Sequence, residues 1–238
     1  NIHEENIENL DLSKFDVILF PINGISDNGE VKSEKGNIDL PESIFKTINK
    51  DTLVFTGLKT KKLLELIPES QIISFLDDEE VENKNNELTV DGTIDDIRDR
   101  KNDTICILGY GKLGKELYLR LTNAGIKTFV ISRPKELINI DKVKNYYPLN
   151  SENIIEVFKL SDIVINTIPH NIIPEEAISC EYVPYILDIS SSPFGIDQEI
   201  IKKYNVKYNL YLGIPSKFAP KEASDILLKV LKKVVQNK

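Results

Sequence analysis

The chain has 238 residues, enough for one large or two ordinary domains, and is 41% hydrophobic and 29% charged, the composition of an ordinary globular protein. No apolar run approaches the ~20 residues of a membrane span and no signal peptide is read at the start, so no membrane partner and a cytoplasmic location are expected. A formal charge of -8 argues against a general nucleic-acid binder.

Residues 1–14 are polar, carry His3 and read as a frayed start. Residues 15–20 are mostly apolar and are expected as a short strand buried on both faces. A turn-rich loop follows over 21–29, and residues 30–35 read as one arm of a small hairpin. Residues 41–48 have helical spacing, with Ile44 and Ile48 on one face. Residues 52–55 read as a second buried strand ending in Thr56-Gly57, residues 59–67 as a helix, and residues 71–75 as a third strand. This alternation predicts a parallel sheet covered by helices. Residues 77–86 turn acidic and read as a solvated loop. A charged helix over 89–102 is the candidate connector to a second domain.

That second domain opens on Thr104-Ile105-Cys106-Ile107-Leu108, a run of strand character that feeds Gly109-Tyr110-Gly111-Lys112-Leu113-Gly114. A helical pattern to Asn123 follows, closed by Ala124-Gly125. Strands are expected over 127–131, 162–166, 185–189 and 205–212, with a short one over 143–147. Residues 138–157 read as loop and helix. Residues 221–236 read as an amphipathic helix with Ala223, Ile226, Leu227, Val230, Leu231 and Val234 on its apolar face.

The strand, the Gly-x-Gly-x-x-Gly turn and the helix together make a dinucleotide fingerprint in the context it requires. Gly109 permits the tight turn, Gly111 lets a pyrophosphate approach the backbone, and Gly114 lets the helix pack on the strand. The phosphates belong at the helix N-terminus. The next strand ends Ile131-Ser132-Arg133-Pro134, where an NAD-binding unit carries an acid. A hydroxyl and a guanidinium suit a 2′-phosphate instead, so NADP is the expected cofactor.

Ligands in an open α/β sheet lie beyond the carboxyl ends of the strands. Asn166, Thr167, Ile168 and Pro169 end the strand over which the nicotinamide half passes, and Asn166 suits a ribose or an amide. Asp188 and Ser190 stand at the next strand end, where the serines serve as caps or as ligand contacts. The loop over 213–220, held by Gly213 and two prolines, projects Lys217, a cation suited to a carboxylate. His170 follows the nicotinamide loop and is a candidate for proton transfer. Two cysteines, Cys106 and Cys180, and two histidines give neither a disulfide framework nor metal-ligand spacing.

The segments 107–114, 162–169, 187–195 and 213–221 resemble, in order and spacing, the family of A-type subunits of dipicolinate synthase. Val17 to Pro21, Phe55-Thr56-Gly57, the acidic run and residues 89–93 extend the resemblance over nearly the whole chain. The family pattern differs in the 21–24 loop and after Ala219-Pro220.

The resemblance implies an α/β fold: a Rossmann doubly wound parallel sheet with a second, smaller N-terminal α/β domain. It divides the chain into 1–88, without the family's first β/α unit, the connector 89–102, an NADP-binding domain over 103–216, and a C-terminal helix over 217–238 that packs back on the first domain. It implies oxidation of dihydrodipicolinate to dipicolinate during sporulation, with the flavoprotein-like B-type subunit of dipicolinate synthase as partner; a homo-oligomer is compatible with it. A dicarboxylate substrate is expected between Asn23, Ser26, Thr56 and Gly57 on one side and Lys217 and the 166–169 turn on the other, with Thr89 and Asp91 at the crossing and Lys221 nearby. Two alternatives stay open: a non-catalytic dinucleotide-binding regulatory subunit, and another NADP-linked reductase of shikimate-dehydrogenase type.

Overall fold

Short apolar runs that bury both faces require a sheet with helices over it. The computed structural model contains two parallel sheets; the strand expected over 15–20 to be buried on both faces is a partly exposed edge strand, with Leu19 60% exposed. It describes residues 7, 10–33, 36–100, 102–133 and 142–236. Expectations placed on residues 1–6, 8–9, 34–35, 101, 134–141 and 237–238, His3 and Pro134 among them, lie outside the described residues. The chain divides into two units: Asn1–Lys84 with Ser224–Lys238, and Asn85–Ala223.

The first unit runs β1 (Val17–Leu19), β2 (Glu30–Ser33), β3 (Gly36–Asp39), α1 (Glu42–Phe45), β4 (Leu53–Thr56), α2 (Lys61–Leu66) and β5 (Ile72–Ser74). Strands β1, β4 and β5 form a parallel sheet in that order, while β2 and β3 pair as an antiparallel hairpin. Val54, Leu63, Ile67 and Phe45 form the core on one side of this small sheet.

Helix α3 (Glu79–Asp96) corrects two expectations, because the acidic run is helical and the connector begins ten residues early. Asp78 accepts from the N–H groups of Glu80 (3.0 Å) and Val81 (3.2 Å) and so starts the helix. Glu79, Glu80 and Glu82 then fall in the first turn, at the positive end of the helix dipole. Val81 packs with Phe55 and Phe75 in the first unit, whereas Val90 and Ile94 pack into the core of the second. One helix serves two cores, so no single apolar stripe announces it in the sequence.

The second unit continues β6 (Ile105–Leu108), α4 (Lys112–Asn123), β7 (Thr128–Ser132), β8 (Tyr146–Pro148), α5 (Ser151–Lys159), β9 (Ile163–Asn166), α6 (Glu175–Ile178), β10 (Tyr185–Asp188), α7 (Gln198–Tyr204), β11 (Tyr208–Leu210) and α8 (Ile214–Phe218). Its six strands are all parallel, in the order β11-β10-β9-β6-β7-β8. Renumbered within the unit, this is the 3-2-1-4-5-6 order of the doubly wound fold. The order reverses between β6 and β9, where Leu108 pairs with Asn166. Side chains alternate between the two faces: Ile105 and Ile107 enter one core, Cys106 and Leu108 the other. Burial pushes the Cys106 thiol well up, which suits a small apolar residue.

The rigid loop expected over 213–220 is instead mostly α8. Gly213 sits at its N-cap with φ 64° and Pro215 lies in its first turn, where a missing N–H costs nothing. Gly92 lets α3 approach α8: a Cβ there would lie 2.4 Å from Ile214 Cγ2. Helix α9 (Pro220–Gln236) packs Ile226, Leu227, Val230, Leu231 and Val234 with Phe55 and Phe75 of the first unit.

Candidate functional site

The turn after β6 needs its three glycines for three different reasons. Gly109 has φ 103°, and a Cβ on it would lie 2.3 Å from Thr167 Oγ1. Gly114 has ordinary helical geometry, but a Cβ there would lie 2.2 Å from the Gly109 carbonyl oxygen. Gly111 differs from both. Its φ of -82° and ψ of -165° suit any residue, and a Cβ on it would meet nothing within 4 Å. Neither conformation nor packing within the chain calls for glycine at 111. A glycine there leaves the backbone open to close approach by a ligand.

Gly111 is also the N-cap of α4 and offers no side chain to the first-turn N–H groups, an arrangement that receives an anion. Tyr110 turns inward, 2% exposed, with its ring edge-on to Tyr118 at 5.9 Å. Leu113 packs on the same core, and Lys112 is exposed. The outward surface of residues 109–114 is therefore backbone plus Lys112.

At the end of β7, Ser132 is buried, and its carbonyl accepts from Tyr146 OH (3.1 Å) and Leu149 N–H (3.0 Å). Arg133 is exposed, and no carboxylate among the described residues pairs with it. Among the described residues no acid stands at this strand end. The open backbone of the glycine turn and the start of α4 fit a dinucleotide.

The ends of β9 and β10 are built otherwise. Asn166, Asp188 and Ser190, expected as cofactor contacts, are bonded to one another inside the protein. Asn166 Nδ2 donates to Ile168 O (3.0 Å), Asp188 Oδ1 (2.9 Å) and Ser190 Oγ (3.2 Å), and its Oδ1 accepts from Ile168 N–H (3.1 Å). Asp188 also accepts from Ser190 N–H (3.0 Å), Ser190 Oγ (2.7 Å), Gly195 N–H (2.7 Å) and Tyr208 OH (3.0 Å). Burial, with the Asp188 charge behind it, pushes the Tyr208 hydroxyl well up. Gly195 is required by approach, since a Cβ would lie 2.3 Å from Asn166 Nδ2. Sequence reasoning missed Gly195 and Tyr208 as members of this group. Gly195 was visible as a turn glycine; Tyr208 gave no signal.

Thr167 binds Leu108 O through both its N–H (2.9 Å) and its hydroxyl (2.8 Å), so the turn over 167–169 lies against the glycine turn. Ile168 is half-buried, and Pro169 and His170 are exposed. His170 donates its backbone N–H to Ile168 O (2.9 Å). Lys217 is exposed on α8 with Nζ 5.3 Å from the Tyr211 ring centroid, and the Gly213 carbonyl accepts from its N–H.

The expected substrate residues fall in different units. Asn23, Ser26, Thr56 and Gly57 belong to the first. Asn23 and Ser26 are exposed, and Ser26 Oγ accepts from Glu30 N–H (3.1 Å). Thr56 is buried and donates to Leu58 O (3.0 Å), while a Cβ on Gly57 would lie 2.1 Å from Ile22 O. Thr89 and Asp91 belong to the second unit. Thr89 is buried and donates back to Asn85 O (2.7 Å). Asp91 is paired with Arg120, which also binds Glu116 (2.8 Å), so it ties α3 to α4. The Glu116 hydrogen bond leads the effects that hold the Arg120 guanidinium above its usual range. Among the described residues no group of three or more His, Cys, Asp and Glu could hold a metal, and no helix is long and apolar enough to cross a membrane.

Comparison with known proteins agrees with this geometry. Residues 1–75 match the N-terminal domain of the dipicolinate synthase A-type subunit. Over 241 residues the chain is 25% identical to the dipicolinate synthase A-type subunit of Bacillus subtilis (strain 168), across 97% of this chain and 81% of the relative. The chain is thus similar to the dipicolinate synthase A-type subunit along nearly its whole length. The crystal structure of that subunit from Bacillus halodurans has the same fold, with a TM-score of 0.81 at 23% identity over 97% of this chain and 82% of that one. A 2-hydroxyacid dehydrogenase from Ketogulonicigenium vulgare follows at a TM-score of 0.56 and 11% identity, over 97% of this chain and 83% of its own. The resemblance read from the residues is borne out, as is the α/β doubly wound fold with a smaller second unit. The fold is that of the dehydrogenases.

Proposed function

We propose that this relative of the dipicolinate synthase A-type subunit is an NADP-dependent oxidoreductase that converts dihydrodipicolinate to dipicolinate. The observation that carries the reading is Gly111, a bare backbone position for which the chain itself has no use. The backbone of 109–114 holds the pyrophosphate at the start of α4. Ser132 and Arg133 take the 2′-phosphate, where a carboxylate would repel it. The 167–169 turn borders the nicotinamide half. When bound, the dinucleotide supplies a hydride acceptor.

The net reaction removes a hydride and a proton from the dihydropyridine ring, and the product is aromatic. Aromatisation drives the proton loss, so a strong base is unnecessary. That accords with a site whose one nearby imidazole among the described residues, His170, is exposed on a turn. His170 is the candidate proton acceptor and Lys217 the candidate cation for a substrate carboxylate. Cytoplasmic action during sporulation and partnership with the flavoprotein-like B-type subunit of the same synthase belong to this proposal. They rest on the family resemblance alone.

The test is a titration of ligand-free protein with NADPH and with NADH, following nicotinamide fluorescence, with and without dipicolinate. NADPH is expected to bind more tightly, dipicolinate to perturb it, and NADP+ to be reduced by dihydrodipicolinate. Arg133→Ala is expected to weaken NADPH about tenfold and leave NADH unchanged. NADPH binding indifferent to dipicolinate would contradict the substrate assignment. Binding of neither nucleotide would contradict the enzyme and favour a regulatory or degenerate subunit.

A further inference from the structure

We propose that Asp188 is a positioning residue: its charge sets which way the Asn166 carboxamide faces, and that carboxamide fixes the 167–169 turn beside Gly109. The proposal rests on the dinucleotide reading above.

Asp188 is fully buried, and its partners are all neutral donors. A carboxylate offers about four lone-pair sites. Ser190 N–H, Ser190 Oγ and Asn166 Nδ2 occupy Oδ1; Gly195 N–H and Tyr208 OH occupy Oδ2. Nothing is left to accept a proton from a substrate, so Asp188 is not the base. The two backbone N–H groups decide its identity, because one is aimed at each oxygen and neither can be turned round. An asparagine would set its NH2 against one of them. Only a carboxylate satisfies both.

Facing an atom that only accepts, Asn166 must present its nitrogen. Its oxygen is then left for Ile168 N–H, while the same nitrogen reaches Ile168 O. Both main-chain groups of Ile168 are thereby held. The neighbouring Thr167 is doubly bonded to Leu108 O, and its Oγ1 stands 2.3 Å from where a side chain on Gly109 would begin. A continuous series of bonds and contacts therefore runs from Asp188 to the glycine turn, within one unit. The adenosine half of a dinucleotide lies over β7, which carries Ser132 and Arg133, and the other half lies over β9. Loss of the Asp188 charge loosens the second half and spares the first.

Asp188→Asn and Asn166→Ala are each titrated with NADPH and with adenosine 2′,5′-bisphosphate, which carries the adenosine half alone. Thermal unfolding is followed alongside. Ile186→Ala, in the β10 core but outside the network, serves as a stability control. Both network variants are expected to bind NADPH about tenfold more weakly and the bisphosphate within about twofold of the parent protein. The control is expected to bind both ligands as the parent does. Equal weakening of both ligands, or unchanged NADPH affinity, overturns the proposal. Failure of both network variants to fold makes the network structural and overturns it too. Failure of the parent protein to bind either ligand defeats the dinucleotide reading itself, and the proposal with it.

Discussion

Gly111 and Asn166 stand at the ends of neighbouring strand–loop units, on either side of the point where strand order reverses, and the chain treats them in opposite ways. Around Gly111 it leaves open space, although ordinary geometry would have accepted a side chain. Around Asn166 every amide atom is paired within the protein, and a glycine at 195 is needed to make room for it. The difference separates two kinds of polar strand end. A residue with no internal reason for its identity points outward, to a ligand. A residue whose bonds all close internally points to the loops it holds. Asn166, Asp188 and Ser190 belong to the second kind, although at the level of sequence they look like the first.

The largest effect expected from breaking this contrast is on the fold. Gly114→Ala places a Cβ against the Gly109 carbonyl, which is backbone and cannot give way, and is expected to cost about 3 kcal/mol in denaturant unfolding. An unchanged midpoint would show that the helix start shifts freely, and would remove the packing reason for that glycine. A much smaller effect is expected at the Arg120 clamp. It is solvent-accessible, so Arg120→Gln should cost at most about 1 kcal/mol, and less in high salt. A larger, salt-insensitive loss would mean that α3 depends on Asp91 more than on Val90 and Ile94.

Much of this was legible beforehand. The central strands β6, β7, β9 and β10 show as apolar runs because both of their faces are buried, and α4 shows by its stripe and its terminal glycine. The start of α3 was hidden because Val81 and Val90 face different cores, so no helical period forms. Helix α8 was hidden because Pro215 suggests a loop, although proline is at home in a helix's first turn. The short helices α6 and α7 left no periodic signal over their four and seven residues. In the site, the glycine turn is a local motif and could be read. The Asn166–Asp188 bond joins residues 22 apart in the chain, and Tyr208 enters 20 further on. Local pattern carries no trace of such a closure, so these residues read as ligand contacts.

The most direct test of the central claim is NADPH affinity in Gly111→Ser, measured together with its unfolding midpoint. Serine at an N-cap supports a helix at least as well as glycine, and the structure offers its Cβ free space. The midpoint is expected to hold or rise slightly while NADPH affinity falls at least about tenfold. A variant that folds as well as the parent and binds NADPH equally tightly would contradict the account, because Gly111 would then serve no ligand.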